Sequence, residues 1–253
     1  MTGRTSQAGN ATEKALRLLE AAAAPGGPHR LGEIAATAGV PKASAHRILR
    51  TLVDAAFLTA DGTGGYAHGP RLRALAARVG AAADDDQGIR GELTALRQLT
   101  GNTVHLALRS GDRAVYTHKV AGPHAVQMAS HVGMEMPLHS TAIGKCVLAG
   151  LADDELAALI GRTGLPARTP RTLTDAAALR RELAEVRDRG VALDDEENEA
   201  TVRCLAAPLR DPSGAVIGGV SVSTVTFQVD RDELLTWSDT LRTTAAALSS
   251  RLV

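Results

Sequence analysis

Apolar residues recur at helical spacing along Ala15, Leu16, Leu18, Leu19 and Ala22, so the chain opens on an amphipathic helix with that inner face. Asn10, followed three residues later by Glu13, resembles a capping box at its start. Pro25-Gly26-Gly27-Pro28 ends it after about Ala24. The next stretch, LGEIAATAGVPKASAHRILRTLVDAAF at 31–57, carries two further helical stripes separated by a tight turn. Leu31, Ile34 and Ala35 face inward from the first helix, and Ile48, Leu49 and Leu52 from the second. Ala35 leaves room for close approach, Gly39 tolerates a left-handed turn, Val40 fills the gap beneath it, and Pro41 suits the first turn of the following helix. Extended runs at 57–60 and 66–68 flank Asp61-Gly62-Thr63-Gly64-Gly65, a glycine-rich hairpin loop. The pattern predicts a winged helix-turn-helix over residues 9–70, with the helix-turn-helix at 31–50, the wing at 57–68 and a disordered tail at 1–8.

Residues 71–100 read as linker helices. Leu72, Leu75, Ala76 and Val79 have helical spacing, and Gly80 with Asp84-Asp85-Asp86 interrupts the run, the acids favouring the start of a second helix. A partly apolar linker of this kind either packs on its own domain or is shared with another subunit, and a dimeric reader of palindromic half-sites favours sharing. Past Gly101 the period changes from helical to alternating, and a hairpin is expected at 104–108 and 114–120 around Ser110-Gly111-Asp112. Helices follow at 137–151, 153–160 and 175–188, then strands at 191–193, 202–209 and 216–225, and a last helix at 230–252. Asp211-Pro212-Ser213-Gly214 turns the chain between the last two strands. The fold class is α+β: a mainly helical N-terminal module, a linker helix, and an α/β domain at 101–253 whose sheet is mainly antiparallel.

Charge sharpens this division. The formal net charge of the 253 residues is zero, but residues 1–80 carry +5 and residues 81–253 carry −5. A basic N-terminal module attracts phosphate, and the acidic remainder need not touch nucleic acid. On the second helix of the helix-turn-helix, Lys42, Ser44, His46, Arg47 and Arg50 are candidates for the outer face. Arg and Lys pair with phosphates or guanine edges, and Ser and His hydrogen-bond to either. Double-stranded DNA is the expected partner; an ordinary helical hairpin with a solvated basic face is the plainer alternative. Five aromatic residues are too few for a single-strand stacking platform. No apolar run approaches the ~20 residues of a membrane span. The N-terminal residues lack the apolar core of a signal peptide, and two distant cysteines, Cys146 and Cys204, suggest no disulfide framework, so a reducing cytoplasm is expected.

Two segments carry chemistry. In PLHSTAIGKCVLAG at 137–150 a helix starts near Ser140 or Thr141, where unused backbone N–H groups can hold an anion; a simply capped helix reads the same way. In ALDDEENEATVRCLAAPL at 192–209 an acidic loop enters a buried strand. Ser221 and Ser223 share one face of the last strand by their two-residue spacing.

The winged helix-turn-helix, PLHSTAIGK, DDEENEATVRCLAAPL and GGVSVS stand in the order and spacing of the IclR family of bacterial transcriptional regulators, which the chain resembles over nearly its whole length. The resemblance implies a GAF-like C-terminal domain that binds a small metabolite, an organic acid being the leading expectation. It also implies dimers, often paired into tetramers, on palindromic operators. Ala142 and Ile143 would then offer N–H groups to the effector, and Asp194, Cys204, Ser221 and Ser223 would line the rest of the pocket. Thr201 stands where the family pattern often has Gly, and Ile143 where it often has a smaller residue, so the pocket is expected to be reshaped. A metabolite-controlled regulator, a repressor rather than an activator, is the expected function; a winged-helix protein-interaction module is the alternative. Neither Cys204 beside Arg203 nor the scattered His118, His124, His131 and His139 has the spacing of a nucleophile or metal site, so no enzyme, cofactor or metal is expected.

Overall fold

The structure, a computed structural model, describes residues 10–24, 26–27, 29–81, 84–123 and 128–252, without the side chains of 77–81 and 84–86. The predicted tail at 1–8, Pro25, Pro28 and His124 lie outside the described residues, as do the side chains of Val79 and Asp84 to Asp86. The chain divides into two compact units, 1–83 and 84–253.

In the first unit, α1 (Ala11–Ala22) is capped by Asn10, whose side chain accepts from the Glu13 N–H at 2.9 Å. It is followed by β1 (His29–Arg30), α2 (Leu31–Thr37), α3 (Lys42–Asp54), β2 (Leu58–Ala60), β3 (Gly65–His68) and α4 (Pro70–Ala81). Leu18, Ala22, Ile34, Ala35, Val40, Ala45, Leu49 and Leu58 make the small core. Leu16 departs from the expected inner face of α1 and is 55% exposed, because the core is reached by Leu18 and Ala22 on the other side of the helix. Gly39 takes the left-handed turn at φ 62°. Pro41 caps α3 from outside, with its carbonyl accepting the Ala45 N–H at 2.9 Å, rather than standing in the first turn.

The wing is a three-stranded sheet in the order β1-β3-β2, not a bare hairpin. His29 and Arg30 pair with Tyr66 and Gly65, a two-residue strand too short to leave a periodic signal. One Asp61 carboxylate oxygen gathers the Gly65 N–H at 2.8 Å and the Thr63 N–H and hydroxyl at 2.9 Å, which closes the loop and holds this acid below the usual carboxylate range. α4 is tied to the wing: the Arg71 N–H donates to Ala56, and its guanidinium lies 5.1 Å from the centre of the Phe57 ring.

The second unit runs α5 (Asp84–Thr100), β4 (Thr103–Ser110), β5 (Arg113–Val120), β6 (Glu135–Pro137), α6 (Ala142–Ala149), α7 (Asp153–Thr163), α8 (Ala176–Arg189), β7 (Ala192–Asp195), β8 (Val202–Arg210), β9 (Val216–Val225), α9 (Arg231–Thr236) and α10 (Ser238–Ser249). Its six strands pair antiparallel in the order β6-β5-β4-β9-β8-β7. Alternation assigns the two faces. Val104, Leu106, Leu205, Val220 and Val222 pack on one side against α5 and α10; Ala107, Ala114, Ala192 and Ala206 pack on the other against α6, α7 and α8. α6 starts later than the predicted helix, since 135–137 pair with β5 before the chain turns. The predicted final helix is two, broken at Trp237, whose N–H bonds to Leu234 and Leu235. Among the described residues no helix is long and apolar enough to cross a membrane.

Candidate functional sites

On α3 the burial of Ala45 and Leu49, with half-buried Ile48 and Leu52, turns the opposite side outward. Lys42, His46, Arg47 and Arg50 are exposed on that side together with Ala43, and Ser44 sits half-buried at its edge. Thr51, also outward, donates its hydroxyl to the Arg47 carbonyl at 3.2 Å. Four cationic or potentially cationic side chains thus stand on one face of a helix delivered by a helix-turn-helix, the arrangement that enters a major groove.

In the second unit, Ala142, Ile143, Asp194, Cys204, Ser221 and Ser223 all line one cavity of ≈ 90 Å³ between the sheet and the start of α6. Local geometry explains their convergence. Thr141 caps α6: its hydroxyl accepts from the Gly144 N–H at 3.1 Å and donates to the Pro137 carbonyl at 2.7 Å. The N–H groups of Ala142 and Ile143, in the first turn, have no intrahelical acceptor. β8 and β9 lie in register, Cys204 opposite Ser223, and β7 sets Asp194 opposite Cys204. Gly144 is required here, because a Cβ would come within 2.3 Å of the Leu138 carbonyl oxygen.

Asp194 is almost wholly buried. Its Oδ1 accepts from the N–H groups of Glu197 at 2.8 Å and Asn198 at 3.3 Å, yet burial dominates and pushes its carboxyl up to about 7. Burial also raises the Cys204 thiol, whose Sγ donates to Ser223 Oγ at 3.1 Å. A thiol held protonated in this way is a packing and hydrogen-bonding group, not a nucleophile. Arg168 stands exposed at the cavity's edge, its Nε donating to the Asn198 carbonyl at 3.1 Å.

Sequence reasoning missed His105, the most constrained group on the cavity floor. Its ring stacks on Tyr116 at 4.5 Å, with Nε2 2.8 Å from Ser130 Oγ and Nδ1 3.3 Å from Ser223 Oγ. Burial first, and Lys119 second, push the imidazole down to about 3, so it is neutral. Its signal was present in the alternation of β4, where His105 falls on the face opposite Val104 and Leu106. Lys145 was missed too. Fully buried in α6, it places Nζ 2.6 Å from Glu197 and 3.3 Å from Glu182, tying the acidic loop to α8. Glu197 Oε2 is left buried without a partner, and burial raises this carboxyl. Among the described residues no three His, Cys, Asp or Glu side chains gather as a metal site would need.

Comparison with known proteins covers both units. The model of the bacterial transcriptional regulator IclR C-terminal domain matches residues 87–250, and that of the IclR helix-turn-helix domain matches residues 11–62. The chain is 35% identical over 241 residues to the HTH-type transcriptional regulator XynR of Escherichia coli (strain K12), covering 95% of this chain and 96% of that one. It is 29% identical over 246 residues to the HTH-type transcriptional repressor AllR of the same strain, covering 96% and 90%. The crystal structure of an IclR transcriptional regulator from Alicyclobacillus acidocaldarius superposes with a TM-score of 0.82 at 29% identity, covering 95% of this chain and 98% of that one.

Proposed function

The chain belongs to the IclR family of DNA-binding transcriptional regulators, and from that premise we propose that it is a cytoplasmic repressor released or engaged by a small organic acid. The observation that carries this reading is the single cavity in which Asp194, Cys204, Ser221 and Ser223 face the unused N–H groups of Ala142 and Ile143. Two N–H groups at a helix start bind a carboxylate. Cys204, Ser221 and Ser223 on the sheet, with Asp194, suit a hydroxyl or carbonyl elsewhere on the ligand. A cavity of ≈ 90 Å³ favours a compact ligand over a bulky one. The repressor assignment is supported by the likeness to AllR.

The output is Lys42, Ser44, His46, Arg47 and Arg50 on duplex DNA. A homodimer or homotetramer on a palindromic operator matches two recognition helices to two half-sites. The effector acts by its difference in affinity between two states of this assembly, transmitted through residues 71–100. Thermal shift of the full-length protein against short-chain carboxylates tests the pocket, since a ligand of the folded state raises stability by mass action. At least one small hydroxy or keto acid should raise the melting temperature and change DNA affinity. If none does, and only larger uncharged compounds do, the organic-acid reading fails. DNA binding that is indifferent to salt would instead favour a protein-interaction module.

A further inference from the structure

The cavity under α6 offers hydrogen-bond donors at two separate places. On its inner wall Ser221 is 3% exposed, and its hydroxyl has no hydrogen bond among the described residues, whereas the Ser223 hydroxyl is taken up by Cys204 and His105. Buried polar groups are normally paired, so an unpartnered hydroxyl facing a cavity points to a ligand. Ala142 and Ile143, with their unused N–H groups, border the same space. At the mouth stands Arg168. Its Nε donates to the Asn198 carbonyl at 3.1 Å, while Nη1 and Nη2 have neither hydrogen bond nor ion pair among the described residues.

Arg168 is held in place although it is exposed. Its N–H and that of Thr169 donate to Thr172 Oγ1 at 3.0 and 2.9 Å, and the Thr172 hydroxyl donates in turn to the Glu197 carbonyl at 2.6 Å. Thr169 Oγ1 donates to the Glu196 carbonyl at 2.6 Å. The loop is thereby tied to the turn at 196–198, whose Glu197 and Asn198 N–H groups grip Asp194 Oδ1. One turn thus fixes Asp194 on the cavity wall and Arg168 at the mouth. With Nε anchored on a carbonyl, the two Nη groups form a pre-set fork of the kind that takes a carboxylate in two prongs. Two acids border the cavity as well. Burial raises the Asp194 carboxyl, which eases the approach of an anion, and Glu199 is exposed, its carboxylate without a partner among the described residues, so it can turn to water.

Given that this cavity takes an organic acid, we propose that Arg168 is a specificity-determining residue that selects a short dicarboxylic acid. One carboxylate sits on the N–H groups of Ala142 and Ile143 with the Ser221 hydroxyl, and the other on the Arg168 fork. A monocarboxylic acid fills the inner end alone and leaves the fork to water.

The test is calorimetric titration of the full chain with matched acids: butanoate against succinate, 2-hydroxybutanoate against malate, and pentanoate against glutarate. In at least one pair the diacid should bind the native chain about tenfold or more tighter than its monoacid partner, as charge-assisted hydrogen bonds allow. Arg168→Gln should abolish that preference and leave monoacid affinity within about twofold. Arg168→Lys, which keeps the charge without the fork, should retain part of it. The side chain is exposed, so thermal melts of both variants should match the native one. Three results overturn the proposal: no diacid preferred in any pair; a preference that survives in Arg168→Gln; or equal weakening of monoacid and diacid by that substitution. Each of these, with acids still binding, leaves the organic-acid reading intact. Absence of binding by every acid up to about 10 mM, where even a weak site would show, overturns both.

Discussion

On α3 the candidate DNA-binding side chains, Ser44 apart, stand in solvent, whereas Asp194, Ser221 and Ser223 in the second unit are 2–3% exposed. The same chain thus presents its chemistry in two ways with different energetic consequences. A charged group on an open helix face costs the fold little and can be exchanged without being missed. A carboxylate or lysine beneath a sheet has been desolvated, and what surrounds it must compensate. Function and stability are therefore separable in the first unit and entangled in the second.

The largest effect should come from the most deeply entangled residue. Lys145→Met removes the cation shared by Glu197 and Glu182 and strands buried carboxylates, so it should cost about 3–5 kcal/mol in chemical denaturation. A loss below 1 kcal/mol would mean that the acids relax into solvent and that the contrast is weaker than drawn. Next comes Arg47→Ala, worth about 1–3 kcal/mol of DNA affinity if the arginine reads a base, or a reduced salt slope if it holds a phosphate. Its melting temperature should not move. Fluorescence anisotropy across a salt series, paired with thermal melts, checks both halves.

Protonation gives a third, smaller effect. The Asp194 carboxyl is raised in the fold, so its stabilising contribution is complete below the unfolded value near 4 and is lost as pH rises through about 7. Asp194→Asn keeps an oxygen for the two backbone N–H groups but cannot ionise. The variant should therefore gain on the native chain between pH 5 and 7, by about 1.4 kcal/mol per pH unit at most. A difference constant with pH would show that Asp194 titrates normally. The smallest effect is local. Thr201 is a branched residue at φ 65°, in the region where glycine is at ease. Thr201→Gly should stabilise the acidic loop by about 1 kcal/mol, the lower end of such strain; destabilisation would show that its other contacts matter more.

What the sequence made legible follows the same division. The helix-turn-helix was readable because each of its determinants lies within about four residues of the next: the stripe of α2, the turn at Gly39, the start of α3. The predicted cavity residues come from three strands and a helix start, and only resemblance to a family brought them together in advance. His105 escaped because its partners, Ser130 and Ser223, lie on other segments. Lys145 escaped because AIGKCVLA reads as an apolar helix with one solvated lysine, and its acids are 37 and 52 residues away in the chain. The break at Trp237 carries neither proline nor glycine to announce it.

The central claim is that DNA affinity resides on α3 and effector affinity in the cavity under α6, with one controlling the other. One paired measurement tests it most directly: DNA selected from a randomised pool and a short-chain acid found by thermal shift, each titrated into Arg47→Ala and Asp194→Asn. Arg47→Ala should lose DNA affinity and keep the native response to the acid, while Asp194→Asn should keep basal DNA affinity and lose or alter that response. Folded variants that each lost both activities would contradict the account.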